Sequence, residues 1–352
     1  MKFTVLPGKK LDAELLSFWR ELQNSNPDLA SPFFCPEFTA AVSAARSDVE
    51  SAVIEEDGKI VGFFPFQRGS GGVGFPAGEC LSDYHGVICA PGFVCEPAAL
   101  LKACGLETWD FDHLITGQTF FQKFHHQLAP SPQIDLSSGS DAYMASCHAA
   151  RSERTKLRNL LRRLERELGP VRVVRRDADR GAFEQVLKWK SMQYARSGVR
   201  DLFAVEWIRS VADSIYQTSN KTFSGILSTL YAGETLVAGH FGMCAGHIWH
   251  YWFPAYAQEF SKYSPGMILL LKMIECAPEA GLTLIDLGKG QSFYKNRFKN
   301  TESVIAEGSV ERLSFSTARR QLRRRCRALL AKTPMENQAR RLAHYLRRRR
   351  PR

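Results

Sequence analysis

The chain has 352 residues, 44% hydrophobic and 11% aromatic, enough for two domains of about 150 residues each. No run of eighteen apolar residues occurs, no apolar segment follows the basic residues near Met1, and the nine cysteines form no C-x-x-C pair. A membrane-spanning helix, a secretory signal, a disulfide framework and a structural zinc site are therefore not expected, and a cytoplasmic location is. The net charge of +11 is uneven: residues 318–352 carry thirteen arginines and Lys332 against Glu336, and the remainder is close to neutral.

In chain order, Phe3 to Leu6 reads as a strand, and Leu11, Leu15, Phe18, Trp19 and Leu22 recur at helical spacing. Pro36 starts a second helix reaching about Arg46. A hairpin follows, Ser51 to Glu55 and Ile60 to Phe66 around Asp57-Gly58. Short strands are predicted at Phe75, His85 to Cys89 and Thr108 to Ile115, with a helix over Pro97 to Ala103. From Asp141 to Leu168 the pattern is a long charged helix, stopped by Gly169-Pro170 before a strand at Val171 to Val174. Helices over Ala182 to Arg196 and Val205 to Ser219 precede three strands, Ser224 to Tyr231, Thr235 to Cys244 and His247 to Phe253. A helix from Pro265 to about Ala280 and a strand at Thr283 to Leu287 complete this unit.

Strand, two helices, antiparallel meander, helix, strand is the element order of the GNAT acyltransferase fold. The first half shows a compressed version of it, so the expected class is α/β (α+β) with two tandem GNAT-like domains. The expected divisions are 1–140, a degenerate GNAT-like domain; 141–315, the catalytic one; and 316–352, an Arg-rich tail. In the tail, Leu322, Cys326, Leu329 and Leu330 share one helical face, as do Met335, Ala339, Leu342 and Leu346 after Thr333-Pro334. That pattern suits a peripheral helix on an anionic membrane surface, with RNA contact or disorder as the competing reading.

Lys188-Trp189-Lys190, Gly233 to His240, Tyr251 to Tyr256, Tyr263-Ser264-Pro265-Gly266, Asp286-Leu287-Gly288-Lys289-Gly290 and Tyr294-Lys295 form an ordered series. With the basic helix Leu157 to Glu167, it resembles the CelD/BcsL-type branch of the GNAT acetyltransferases, related to the Fem-type aminoacyltransferases. In the first half, Leu81-Ser82-Asp83-Tyr84-His85-Gly86 is similar to a segment of those proteins. The resemblance implies acyl transfer to an amine or hydroxyl, often in exopolysaccharide or cell-envelope pathways. It departs from ordinary GNAT enzymes in one place: Lys262 to Met267 stands where they carry Q/R-x-x-G-x-G/A for the coenzyme A pyrophosphate.

Site expectations follow from residue chemistry. Ser264, Gly266 and Met267 at a helix N-terminus are suited to a donor phosphate, and equally to a plain helix cap. Gly288 and Gly290 loosen the exit of the strand ending at Asp286, a carboxylate suited to orienting or deprotonating a nucleophile or to capping the next turn. Lys295, beside Tyr294, is suited to an oxyanion or a donor phosphate. His240 and His250 are alternative general bases on adjacent strands. Trp189, Tyr194, Tyr251 and Trp252 are the expected acceptor-binding aromatics, Tyr251 and Trp252 doubling as ordinary core. Acyl-CoA, by default acetyl-CoA, is the expected donor, with no metal; the acceptor is a small molecule or a glycan- or lipid-linked group. The alternatives are an aminoacyl-tRNA-dependent transferase using Arg154, Lys156, Arg158, Arg162 and Arg163, and a non-catalytic envelope-assembly factor.

Overall fold

The structure, a computed structural model, describes residues 1–312; the Arg-rich tail expected over 316–352 lies outside the described residues. The first half comprises β1 (Lys2–Pro7), α1 (Ala13–Ser25), α2 (Pro36–Ala45), β2 (Val49–Glu56), β3 (Lys59–Arg68), β4 (Val73–Pro76), β5 (Ile88–Cys89), α3 (Pro97–Ala103), β6 (Thr108–Ile115) and β7 (His125–Asp135). The second comprises α4 (Ser140–Ser146), α5 (His148–Leu168), β8 (Val171–Val174), α6 (Arg180–Ser197), α7 (Glu206–Gln217), β9 (Phe223–Ala232), β10 (Thr235–Ala245), β11 (Ile248–Tyr256), α8 (Pro265–Cys276), β12 (Leu284–Asp286), α9 (Phe293–Phe298) and β13 (Thr301–Glu311).

Both halves run strand, helix pair, antiparallel meander, helix, strand, and they share one sheet ordered β1-β2-β3-β4-β6-β13-β7-β12-β11-β10-β9-β8. The centre of that sheet is an exchange. β13, from the end of the second half, pairs with β6 of the first, and β7, from the end of the first, pairs with β12 of the second. β7 and β13 then pair antiparallel with each other, Ser131 opposite Ser303.

Three apolar clusters fill the layers. On one face, α1 and α2 of the first half meet α6 and α7 of the second, through Trp19, Phe38, Val42, Phe183, Val211 and Phe241. Trp19 is fully buried and its indole N–H donates to the Phe34 carbonyl at 2.7 Å, which satisfies the polar end of the largest core side chain. On the other face α8, α5 and α4 cover the second half, and α3 covers the first. The continuous apolar run Ile268 to Leu271 thus belongs to a helix buried against the sheet.

In each half one strand pair is parallel: β4 with β6 and β11 with β12. The second is short. Pairing runs Ile248↔Leu284, Trp249↔Ile285, His250↔Asp286 and stops, although β11 continues to Tyr256. The strands part there, and the cleft they open has His250 and Asp286 at its apex.

Candidate active site

Asp286 is 2% exposed, so its carboxylate needs donors from the protein. It has three: the Tyr84 hydroxyl at 2.5 Å, the Gln133 amide at 3.1 Å and the Gly288 backbone N–H at 2.7 Å. Gly288 turns back toward the carboxylate with φ +71°, and a Cβ there would lie 3.0 Å from an Asp83 carboxylate oxygen, so the position requires glycine. Gly290 is also left-handed, φ +100°. Tyr84 extends the network to Ser303 at 3.0 Å and Ser131 at 3.2 Å, the two serines paired across the central strands. Burial and the Asp286 charge hold its phenol well above the ordinary tyrosine range.

His250 lies between two carboxylates. Nε2 is 2.9 Å from Asp83 Oδ2 and Nδ1 is 3.7 Å from Asp286 Oδ1. The ring is fully buried, edge-on to Phe33 at 4.8 Å. Asp83 is the open end of this row: its side chain is 25% exposed against 3% for Asp286. Burial works to raise the Asp83 carboxyl, but the His250 hydrogen bond and the charges of His250, His113 and Lys295 outweigh it and keep it ionised below its usual range.

Two lysines complete the cluster. Lys295 on α9 donates to the carbonyls of Gly288 at 2.9 Å and Lys289 at 2.8 Å. Burial lowers its pKa against the opposing pull of Asp83 and Asp286. Lys190 on α6 donates to the Pro254 carbonyl at 3.4 Å and to Gln193 at 3.3 Å, and lies 5.3 Å from the Tyr194 ring. Burial first, and then the Lys295 charge, bring it down to about 8. Tyr194 and Tyr294 both lie within reach of the Asp83 charge; burial, reinforced by that charge, raises them, Tyr294 to about 12.

The expected residues therefore divide. Asp286, His250, Lys295, Tyr294, Gly288 and Gly290 converge at the apex, with Tyr194 close by. Ser264 is left-handed (φ +53°) and opens α8 without a side-chain cap; its carbonyl accepts from the Met267 and Ile268 N–H groups. Gly266 sits against Tyr256, with 3.3 Å between its would-be Cβ and that ring, so the α8 N-terminus adjoins the far end of β11. Trp252 is buried against Phe33, Phe38 and Phe241, and Trp189 packs on the same cluster. His240 points to the opposite face. It stacks on Tyr251 at 4.2 Å, and burial, reinforced by the His250 and Lys190 charges, holds its pKa well below the ordinary value.

Asp83, Tyr84, Ser131, Gln133 and Ser303 were not expected at the site, and Lys190 was singled out only within Lys188-Trp189-Lys190. The signal for the first two was present in Ser82-Asp83-Tyr84-His85-Gly86, which the resemblance singled out without assigning a role. The His85, Asp112 and His113 side chains converge with potential ligand atoms within 4.8 Å of one another, but His85 has no free nitrogen. Its Nδ1 accepts from the His113 N–H at 3.3 Å and its Nε2 faces the Ser82 carbonyl at 3.0 Å.

Residues 151–296, less than half of the chain, match a family model described as an acetyltransferase (GNAT) domain, and the chain is of the acyltransferase class. No curated protein matches the sequence. Among solved structures, FemX superposes with a TM-score of 0.60 at 12% identity, covering 91% of this chain and 99% of that one. The C-terminal domain of a protein described as a lysylphosphatidylglycerol synthetase, from Agrobacterium fabrum, gives 0.55 at 12% identity, covering 88% and 95%. A conserved protein of unknown function from Bacteroides thetaiotaomicron gives 0.50 at 11% identity, covering 83% and 97%. At such identities these likenesses concern the fold, here over nearly the whole described chain.

Proposed function

We propose that this chain transfers an acyl group, acetyl by default, from acyl-CoA to an amine or hydroxyl at the parting of β11 and β12. The observation that carries this reading is the row Asp83–His250–Asp286 at the apex, open to solvent only through Asp83. The acceptor's nucleophilic atom attacks the donor carbonyl and gives its proton to Asp83, with His250 sharing the charge. Asp286, already holding three donors, fixes Tyr84 by its hydrogen bond and stands 3.7 Å from His250 Nδ1 as a fixed negative charge behind the ring. Lys295 is placed to stabilise the oxyanion of the tetrahedral intermediate. As that intermediate collapses, the carbon–sulfur bond breaks and the thiolate leaves, to be protonated by solvent.

The donor would approach from the α8 side, where Gly266 leaves the first helical turn bare beside Tyr256 and the helix dipole favours phosphate. A cell-envelope or exopolysaccharide acceptor and a tail resting on an anionic membrane are the finer parts of the reading, supported by the sequence resemblance and the tail's composition. No described helix is long and apolar enough to cross a membrane.

A second reading, aminoacyl-tRNA as donor, is favoured by α5: Arg151, Lys156, Arg158, Arg162 and Arg166 are exposed along a helix packed against α8. Thermal-shift titration separates the two. Acetyl-CoA is expected to raise the melting temperature with little dependence on salt, whereas a charged tRNA should do so only at low ionic strength. No stabilisation by acetyl-CoA, longer acyl-CoA or charged tRNA would sink both.

A further inference from the structure

The acceptor side of the cleft carries charges of both signs, and their arrangement narrows what it takes. Asp83, hydrogen-bonded to His250 and with its side chain 25% exposed, presents an ionised carboxylate to solvent, with the phenols of Tyr194 and Tyr294 within reach of its charge, a setting that receives a cation. It is poorly suited to an alcohol, whose proton a low-pKa carboxylate cannot remove efficiently. An ammonium, with a pKa near ~10, is attracted by Asp83; it loses one proton to solvent to become the free amine, and the second, released from the nitrogen on attack, goes to Asp83 at far smaller cost than an alcohol's would.

Lys190 supplies the opposite charge. Its ammonium donates only to a neutral carbonyl and a neutral amide, it forms no ion pair among the described residues, and Lys295 is its charged neighbour. A partly buried cation within reach of another cation's charge, with no carboxylate to neutralise it, is favoured when a ligand supplies the anion. The donor's phosphates are not that ligand, because Lys190 projects from α6. This helix packs on the face bearing Phe241 and Met243, while α8 lies on the face bearing Trp249 and Tyr251. Lys190 and the Asp83 carboxylate are joined through Tyr194, which Lys190 touches and whose phenol feels Asp83.

We propose that the acceptor is a primary amine bearing a carboxylate or phosphate, bound with its ammonium at Asp83 and its anion at Lys190. This rests on the acyltransferase reading and adds the acceptor class to it. Its test compares acetyl transfer to β-alanine, 2-aminoethyl phosphate, propylamine and propanol, with acetyl-CoA binding measured separately on the same protein. An anion-bearing amine should exceed propylamine by ~10-fold or more in kcat/KM, as expected of one charge-assisted contact, and propanol should not react. The two anionic amines tell carboxylate from phosphate. In Lys190→Gln the preference should collapse through KM, and Lys190→Arg should restore most of it. Equal use of propylamine, transfer to propanol, an unchanged preference in Lys190→Gln, or no transfer to any of these by a protein that binds acetyl-CoA would overturn the proposal. Failure to bind any acyl donor would instead overturn the acyltransferase reading, and the proposal with it.

Discussion

Asp83 and Lys190 show how little of a residue's chemistry resides in its type. Asp83 stays ionised although burial opposes it, because His250, His113 and Lys295 surround it; Lys190 is brought down to about 8 by burial and then by the Lys295 charge, with only neutral acceptors beside it. The sign of the resulting pH dependence follows. A lysine whose folded pKa lies below its ordinary 10.5 loses its charge as pH rises through 8, while the unfolded chain still holds the proton. Affinity for an anion-bearing amine should therefore fall as pH climbs from about 7 to 9, visible as a rising KM in steady-state kinetics, and Lys190→Arg should flatten that rise. The two histidines also differ in their surroundings: His250 faces two carboxylates, whereas His240, one strand away, stacks on Tyr251 and lies near Trp249.

Among the elements, those with periodic apolar residues and clear punctuation were legible. The helix pairs, the meander β9 to β11 and the buried α8 all form where spacing and turn residues place them. The two central strands were not. β7 reads His125-His126-Gln127-Leu128-Ala129-Pro130-Ser131-Pro132-Gln133-Ile134-Asp135, and two prolines argue against a central strand. They are tolerated because the carbonyls of Pro130 and Pro132 face the β12 side and accept from Gly290 and Leu287, beyond the end of β12. Their missing N–H groups lie on that same side, so the pairing with β13 runs through both positions uninterrupted. β13 sets Glu302, Glu307 and Glu311 around the short apolar run Val304 to Ala306, with no regular alternation and with Gly308 among them, yet both its neighbours come from elsewhere in the chain. Only long-range pairing reveals either strand, and with them Ser131, Gln133 and Ser303. The β10 bulge between Phe241 and Met243 is equally tertiary in origin. A Cβ on Gly242 would lie 2.2 Å from the His250 carbonyl and 2.6 Å from the His240 ring. Gly242→Ala should therefore displace β11 at His250, lowering both the urea midpoint of unfolding and the transfer rate, whereas Gly246→Ala, left-handed (φ +51°) but in open space at the following turn, should strain only that turn, lowering the urea midpoint and leaving the transfer rate unchanged.

For the whole molecule, the exchange of β7 and β13 makes the halves interdependent. The order of elements allowed two domains in sequence to be read from the chain, but not that each lends the other a strand, because that depends on pairing between residues far apart. Lending β13 brings Ser303 to Tyr84, and lending β7 brings Gln133 to Asp286, so the site exists only at the seam. Chains cut at residue 140 should not fold separately: 1–140 would lack the partner between β6 and β7, and 141–352 would have β12 without β7. Circular dichroism of each piece alone should show loss of cooperative unfolding, and mixing the two should restore it. The account as a whole turns on Asp83 receiving the acceptor's proton at that seam. Steady-state acetyl transfer by Asp83→Asn, with acetyl-CoA affinity determined on the same sample, tests this most directly. The predicted result is unchanged donor affinity with kcat lower by ~10²- to 10⁴-fold; a kcat equal to that of the unsubstituted chain would contradict it.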